Sequence, residues 1–376
     1  MDENELKKYK LCKFCFERQF EFSKKKPKHE QSGIECWLCE NIFDYIDDLV
    51  DSIKIDVEFS TFECGSKIPE RILEREDELW EKIGAINAVS IKSQLNRILN
   101  EKVSKKFGKK VDHLNPDIVF LFDFENKKVD YEIKPIYIYG RYRKLVRGIP
   151  QTKWNCRVCW GKGCERCGFS GKLYAESVQE LIGEKILEET FGIDTKFHGK
   201  GREDRDVRML GSGRPFIIEI IAPKKRNLDL GLLEKKINEF AKGKVEVSGL
   251  RFSNKKEVGL IKTEASEKEY EALVFCEGIN EEDCKKIEEF FQNKEIIQKT
   301  PRRVLHRRAD KARKRKVLFV KTLELGKDFA KIIIRTTSGT YIKELVSGDD
   351  GRTKPSFSQV LGRECTVKEL DVIEVE

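Results

Sequence analysis

The sequence predicts an α+β protein whose C-terminal part is built on a mixed, largely antiparallel sheet. The chain has 376 residues, which favours more than one domain. Most predicted strands after residue 200 follow one another without the long helical crossovers of a doubly wound fold. A basic, aromatic segment at 140–154 leads into a cysteine cluster. We therefore place the boundary between domains 1–150 and 151–376 there.

The first domain begins with a cysteine-containing module at residues 1–45 and continues with helices and strands. Residues 69–107 have a helical pattern, in which Leu95, Ile98, Leu99 and Val103 fall on one face. The pair Asn115-Pro116 ends that pattern. Residues 117–124 and 129–139 are rich in β-forming side chains and predict two strands separated by a polar turn.

The second domain is dominated by predicted strands. Ser177 and Glu180 form a capping-box pattern before an apolar helical run that Gly192 closes. Helical patterns follow at 230–241 and 281–292. The segments with a strand pattern are 216–222, 244–252, 257–262, 269–277, 317–325 and 330–337.

Positive charge is concentrated in one segment. Lys and Arg number 74 and Asp and Glu 66, a net charge of +8. Residues 301–316 carry nine cations and one acid, also +8, and we call them the basic strip. Its cations are Arg302, Arg303, Arg307, Arg308, Lys311, Arg313, Lys314, Arg315 and Lys316. Such a strip favours binding of a polyanion; the alternative is a solvated helix face.

Two classes of protein are disfavoured. No apolar run approaches the ~18 residues of a membrane span. Residues 1–10 are charged and lack the apolar centre of a signal peptide. We expect a cytoplasmic protein with no membrane partner.

Eight of the 12 cysteines form four Cys-x-x-Cys pairs. The pairs are Cys12/Cys15, Cys36/Cys39, Cys156/Cys159 and Cys164/Cys167. Four thiolates bind zinc tetrahedrally and leave no open position, so we expect structural zinc, in two sites. Iron–sulfur binding and redox pairs are the competing interpretations, and spacing leaves open which pairs share a metal. The isolated Cys64, Cys276, Cys284 and Cys365 are expected to be buried apolar residues.

Two loops have compositions typical of functional sites. Residues 201–216 alternate charges between glycine turns before an apolar strand. Their Gly-Ser-Gly lacks the spacing of a dinucleotide fingerprint and the Gly-Lys-Ser/Thr of a phosphate loop. In residues 336–355, Ser338 or Thr340 is expected to cap a short helix that carries Lys343 and Leu345.

These loops carry a resemblance to a known family. Gly201-Arg202-Glu203-Asp204 resembles the Gly-Arg-x-Asp loop of pseudouridine synthases, and Ser338–Lys343 resembles their later motif. The longer strings 201–216, 303–308 and 339–355 resemble the tRNA pseudouridine(54/55) synthases of archaea and eukaryotes. Residues 140–154 resemble the end of the N-terminal part of that family, which contains a THUMP domain.

The resemblance implies a fold and a set of roles. It implies a pseudouridine synthase catalytic domain after a zinc-bearing, THUMP-type α/β domain that binds RNA. Asp204 would be the catalytic carboxylate, Tyr270 would stack on the target base and Lys343 would pair with Asp204. Leu345 would line the uracil pocket. The arginines expected to contact tRNA are Arg202, Arg214, Arg302, Arg303, Arg307, Arg308, Arg313 and Arg315.

The reaction that the resemblance implies is the isomerisation of uridine 54, uridine 55 or both in the TΨC loop of tRNA. It transfers no electrons or groups, so we expect no organic cofactor. Separately, we expect the protein to be a monomer. A carboxylate kept charged by a nearby Lys343 or Arg202 would act, by attack on the sugar, attack on the base or removal of the 2′ proton.

Several alternatives remain at this stage. Asp206 competes with Asp204 for the catalytic role, and Asp204 could be a simple turn residue. Tyr270 and Leu345 could be core residues. A non-catalytic, zinc-containing protein that binds tRNA is the alternative function. A THUMP-type methyltransferase or thiouridine synthase is disfavoured because the sequence lacks a Gly-x-Gly-x-x-Gly loop and a Ser-Gly-Gly-x-Asp-Ser loop.

Overall fold

The chain divides into two compact units. A computed structural model describes residues 3–24, 27, 35–264 and 266–376, and all of their side chains except those of residues 3, 4 and 307. One unit contains the chain up to Pro135 together with Ile221–Asn227, and the other contains Ile136–Ile220 and Leu228–Glu376. This division falls before residue 150, because the strand Ile136–Lys144 pairs within the sheet of the second unit.

The first unit combines helices with a four-stranded sheet. Its elements are α1 Glu3–Leu6, α2 Lys13–Glu17, α3 Ile46–Ser52, β1 Thr61–Lys67, α4 Glu70–Ile83, α5 Ile91–Phe107, β2 Lys110–Val111, β3 Ile118–Asp123 and β4 Lys128–Ile133. The strand order is β2-β1-β3-β4. Strand β1 runs parallel to β2 and β3, and β4 is antiparallel to β3.

The helical pattern predicted over 69–107 is confirmed as two helices. In α5, three residues of the predicted face, Leu95, Leu99 and Val103, are completely buried, and the fourth, Ile98, is half-buried. Ser90 caps this helix by accepting a hydrogen bond from the backbone N–H of Ser93. Gly108 ends it with a φ of 64°, in the left-handed region that glycine adopts without strain.

The second unit holds a large mixed sheet. Its elements are β5 Ile136–Lys144, α6 Val178–Thr190, β6 Asp194–Gly199, β7 Arg208–Ile221, α7 Leu230–Phe240, β8 Val245–Ser253, α8 Lys255–Thr263, β9 Lys268–Phe275, α9 Glu281–Phe291, β10 Lys294–Lys299, β11 Ala312–Leu325, β12 Phe329–Thr336, α10 Ile342–Ser347, β13 Thr353–Lys354, α11 Phe357–Leu361 and β14 Thr366–Val375. Short 3-10 turns lie at Glu165–Cys167 and Arg302–Arg307.

The topology of this sheet confirms the predicted fold class. The strand order is β13-β10-β11-β12-β9-β14-β7-β5-β8, and β6 pairs with β7. Along this path β14 and β7 are parallel and all other neighbours are antiparallel. Helices α6, α7, α9, α10 and α11 contribute to a single buried core with these strands. The helix after Ser177 is confirmed, with Ser177 accepting a hydrogen bond from the N–H of Glu180.

Two local predictions were wrong, and one alternative is excluded for part of its range. Residues 129–139 form two strands, because Pro135 cannot donate to a ladder and interrupts them. Residues 257–262 belong to helix α8, which Asn254 caps through the N–H groups of Lys256 and Glu257. The alternative in which the basic strip is a solvated helix face does not hold from Ala312 onward, because there the strip is strand β11.

Among the helices of the described residues, none has both the length and the apolar character required to cross a lipid bilayer.

Candidate active site and metal centres

Asp204 lies in the loop between β6 and β7, where it lines a cavity of 680 Å³. Its carboxylate is about one-third exposed, at 32% of the side-chain surface. Gly201 in the same loop has a φ of 78°, and a Cβ there would lie 2.7 Å from the amine of Lys268. Because this φ lies in the left-handed region, glycine is favoured at position 201.

A buried polar network holds this loop. The ammonium group of Lys144 donates to the carbonyls of Asp204 and Arg205 at 3.1 and 3.2 Å. The carboxylate of Glu203 accepts from the guanidinium of Arg214 at 2.9 Å and from the phenol of Tyr142 at 2.9 Å. Because these groups are buried and paired, they fix the backbone on which Asp204 is carried.

The supporting roles of Lys144, Glu203 and Tyr142 were not predicted from the sequence. Lys144 and Tyr142 lie in the basic, aromatic segment 140–154, and Glu203 lies in the Gly-Arg-x-Asp loop. Burial lowers the pKa of Lys144, and the nearby Glu203 opposes that effect. The sequence offered one signal for this role of Lys144: a lysine at the end of a predicted strand, in a chain that also has the charged loop 201–207.

Arg303 is the cation paired with Asp204. Its guanidinium lies 2.6 Å from the Asp204 carboxylate and 2.6 Å from that of Glu344. Burial by itself lowers the pKa of Arg303, but Glu344 and Asp204 outweigh it and raise that pKa. The guanidinium therefore remains charged beside Asp204.

Lys343 pairs with Asp206, which corrects the expected contact with Asp204. The two charged atoms are 2.5 Å apart. Burial raises the pKa of Asp206, but the hydrogen bond and charge of Lys343 outweigh this effect and lower it. Lys343 still lines the cavity. Helix α10 carries it as predicted, but the residue before the helix is Tyr341, with no side-chain cap, so neither Ser338 nor Thr340 caps it.

Tyr270 forms part of the cavity wall. It lies in β9 between Ile334 of β12 and Val372 of β14. Burial raises the pKa of Tyr270 to about 12, so its phenol is neutral at physiological pH. The position provides an aromatic surface inside the cavity.

The other expected site residues occupy different places. Arg202 lines the cavity, and its guanidinium lies 5.6 Å from the ring centre of Trp154. Arg214 lines the cavity but is buried against Glu203, so it also supports the loop. Leu345 is completely buried in the hydrophobic core and, within the described part of the chain, is not part of the cavity lining.

The basic strip contributes a cationic wall. Arg308, Arg313 and Arg315 line the same cavity as Arg303. Burial and the charge of Arg313 lower the pKa of Arg315. Arg302 instead pairs with Asp350 at 2.6 Å, and the side chain of Arg307 lies outside the described residues. The wall is suited to phosphate groups.

Lys268 is a further cavity residue that the sequence analysis missed. It is the first residue of β9, two positions before Tyr270. Burial, together with the charge of Arg214, lowers the pKa of Lys268 to about 8. The cavity thus combines a carboxylate, an aromatic wall and several cations, a set of groups that can hold a nucleotide and act on it.

The eight paired cysteines form two groups of four. One is Cys12, Cys15, Cys36 and Cys39, the other Cys156, Cys159, Cys164 and Cys167. Within each group all sulfurs lie within 4.8 Å of one another. The separation is 3.6 Å for Cys12 and Cys39, and 4.0 Å for Cys156 and Cys164. Tetrahedral bonds of ~2.3 Å to one zinc ion place sulfurs about 3.8 Å apart.

Backbone N–H groups also point at the sulfurs of the second cluster. Gly163 donates to Cys159 at 3.2 Å, and Gly171 donates to Cys167 at 3.3 Å. Such donors stabilise thiolates, which are the metal-binding form. Both groups therefore fit a metal ion, and the structure resolves which pairs belong together. The isolated Cys64, Cys276, Cys284 and Cys365 are buried, as predicted.

Two models of known protein families match most of the chain. The mixed sheet of the second unit is the one expected for a pseudouridine synthase. The family model described as "Pus10, C-terminal" matches residues 137–376, and that described as "Pus10 THUMP domain, archaeal" matches residues 45–123. The chain is thus a pseudouridine synthase with a THUMP domain.

Full-length relatives give the particular family. A tRNA pseudouridine synthase Pus10 from Methanothrix thermoacetophila is 45% identical over 90% of this chain and 76% of the relative. Proteins of the same name from Methanopyrus kandleri and Methanothermobacter marburgensis are 43% and 42% identical, over 90% and 97% of this chain and 80% and 95% of the relatives. The chain belongs to the Pus10 family of tRNA pseudouridine synthases.

A solved structure, "Crystal Structure of a Cbf5-Nop10-Gar1 Complex", matches 63% of this chain and 48% of that chain, with 17% identity and a TM-score of 0.34. This likeness is too weak to support an argument.

Proposed function

We propose that this enzyme isomerises uridine 54, uridine 55 or both in the TΨC loop of tRNA, with Asp204 as the catalytic carboxylate and no organic cofactor. The observation that carries the proposal is the pairing of a partly exposed Asp204 with Arg303 inside a cavity lined by Tyr270. A carboxylate held in position beside a bound nucleoside is what the reaction requires.

Each group has a chemical task. Arg303 orients the carboxylate of Asp204, because the guanidinium of Arg303 is itself held by the buried Glu344. Tyr270 supplies a neutral aromatic surface on which the detached uracil can turn and remain bound. The base must first leave the loop stack, which costs a few kcal/mol. Phosphate contacts from Arg308, Arg313 and Arg315 would offset that cost.

Zinc is our proposal for the metal of both cysteine clusters. Four thiolates at tetrahedral spacing support it, and their closed donor set supports a structural role. We also propose a cytoplasmic location, because cysteine pairs arranged as metal ligands are typical of reducing compartments. We propose that the protein binds tRNA as a monomer.

The catalytic assignment is tested with Asp204→Asn and the matched variant Asp206→Asn. Pseudouridine is mapped at positions 54 and 55 of an unmodified tRNA transcript incubated with pure protein and no added cofactor. We expect Asp204→Asn to abolish product at both positions while tRNA binding persists, and Asp206→Asn to retain activity.

Product formed by Asp204→Asn at the wild-type rate would remove Asp204 from the chemistry. Loss of product only in Asp206→Asn would transfer the catalytic role to Asp206. Transcripts with adenosine at position 54 or 55 then identify which of the two uridines is a substrate.

A further inference from the structure

Two large aromatic side chains project from the cysteine loop of the second unit, residues 153–175. Trp160 and Phe169 are 79% and 73% exposed. The N–H of Trp160 donates to the carbonyl of Cys156, and the N–H of Phe169 to that of Cys164, both at 2.9 Å. Each ring thus stands at the tip of one Cys-x-x-Cys turn, just after its second cysteine.

The backbone at these two positions disfavours aromatic residues. The φ angles are 53° for Trp160 and 60° for Phe169, in the left-handed region. Glycine, or asparagine, occupies that region at lower cost. Because the rings are exposed, packing within the chain does not require them. Their presence is explained by a partner that covers them.

The charges of the loop indicate what that partner is. Residues 153–175 contain the cations Lys153, Arg157, Lys162, Arg166 and Lys172 and the acid Glu165. Their sum is +4, and a divalent metal on four thiolates adds −2. Arg157, Arg166 and Lys172 line a groove of 510 Å³ beside the cluster. Exposed rings next to cations are the pattern that binds single-stranded nucleic acid.

The groove lies next to a recess at the catalytic site, with Tyr174 between them. Tyr174 lines both the groove and a neighbouring recess that also contains Asp204 and Trp154. The rings of Trp154 and Tyr174 meet edge to face at 5.7 Å. The guanidinium of Arg205 lies 5.0 Å from the ring centre of Tyr174. Rings and guanidinium groups thus form a track from Asp204 to the cysteine loop.

We propose that residues 153–175 form a stacking platform for unpaired nucleotides of the RNA substrate. Bases stack on Trp160 and Phe169, and Arg157 and Arg166 contact the phosphates. The strand reaches the platform from the catalytic cavity along Trp154 and Tyr174. This inference rests on the proposed function for the identity of the strand, but its binding step is independent of catalysis.

The test measures binding without catalysis. A fluorescent oligoadenosine of about 12 nucleotides, a length typical of such sites, contains no uridine and is titrated with the full-length, metal-loaded protein. We expect the double variant Trp160→Ala/Phe169→Ala to bind it at least ~10-fold more weakly, because both substitutions remove the ring on which a base stacks. Trp160→Phe should bind within about twofold of wild type, since it retains a stacking surface.

The matched control is Phe191→Ala/Ile193→Ala, which removes two other exposed apolar side chains, 64% and 75% exposed. It should bind as wild type does. Metal content, measured by elemental analysis, must be equal in all variants, which excludes collapse of the loop. Equal binding by wild type and the Trp160/Phe169 variant, or equal loss in the control, would overturn the platform.

A changed oligomeric state with unchanged RNA binding would also overturn it, since the rings would then be a protein interface. Asp204→Asn separates this inference from the proposed function. If that variant is inactive and the Trp160/Phe169 variant binds normally, only the platform fails. If Asp204→Asn is active and the Trp160/Phe169 variant binds weakly, only the catalytic assignment fails.

Discussion

The guanidinium of Arg303 lies between two carboxylates, those of Asp204 and Glu344. Glu344 is buried, so it restricts Arg303 to one orientation and gives Asp204 a fixed partner. A planar guanidinium can serve both carboxylates at once, whereas a lysine ammonium lacks that fork. The orientation of Asp204 therefore depends on a residue of the basic strip.

Arg303→Met should lower the rate of pseudouridine formation by about 100-fold, because a misaimed carboxylate loses its geometry and its cation. Lys343→Met should have a smaller effect, since Lys343 pairs with Asp206. Single-turnover rates at saturating protein measure both. Equal losses in the two variants would show that Lys343 also acts on Asp204.

Lys268 gives a prediction for pH. Its pKa is about 8 in the folded protein, against 10.5 for an ordinary lysine. Between these values the unfolded chain binds a proton that the folded protein does not, so the stability contributed by this site rises with pH. The unfolding free energy of wild type minus that of Lys268→Met should rise by on the order of 3 kcal/mol between pH 8 and 10.5.

Urea unfolding of both proteins across this pH range measures the difference, with the pH below 8 as an internal reference. A difference that stays constant would mean that burial does not shift the pKa of Lys268.

Strand β11 places part of the basic strip on the wall of the cavity. Successive side chains of a strand point to opposite faces, so Arg313 and Arg315 share one face, and both line the cavity. The preceding turn Arg302–Arg307 brings Arg303 to the same cavity. Some cations of the basic strip therefore line the cavity, and others lie elsewhere. Arg302, for example, pairs with Asp350.

Changing Arg308, Arg313 and Arg315 together to Gln should weaken tRNA binding and reduce the slope of log affinity against log salt by about 2 to 3. The control changes three exposed lysines of α7 and α9, Lys235, Lys285 and Lys286, to Gln, with the same loss of charge. Its slope should remain close to that of wild type. Similar slopes for both triple variants would indicate a general charge effect.

The two cysteine clusters belong to different units of the chain, so each is expected to stabilise its own part. The first contributes three buried cysteines to the core of its unit, whereas the second lies at a more exposed loop. Small segments with little core commonly need a metal to fold.

Elemental analysis should give about two zinc atoms per chain, and Cys15→Ser and Cys164→Ser should each retain about one. Cys15→Ser should lower the midpoint of thermal unfolding more, because Cys15 is buried in the core. Iron in place of zinc would contradict the assignment of the metal, and absence of metal would contradict the centres altogether.

Features encoded by neighbouring residues were predictable from the sequence. The spacing within each cysteine pair, the Ser177 cap and the buried face of α5 depend on local geometry, and all were confirmed. Helix α8 was mistaken for a strand because its short apolar pattern suits either state and the cap at Asn254 decides between them.

The fold class, the four cysteine pairs and the loop that carries Asp204 were predictable from the sequence, because each depends on patterns within short segments. Three features became apparent only in the folded chain: Arg303, 99 positions away, contacts Asp204, Lys343 contacts Asp206, and the four cysteine pairs form two clusters. Those contacts depend on strand pairing and burial across the sheet, which local periodicity does not encode.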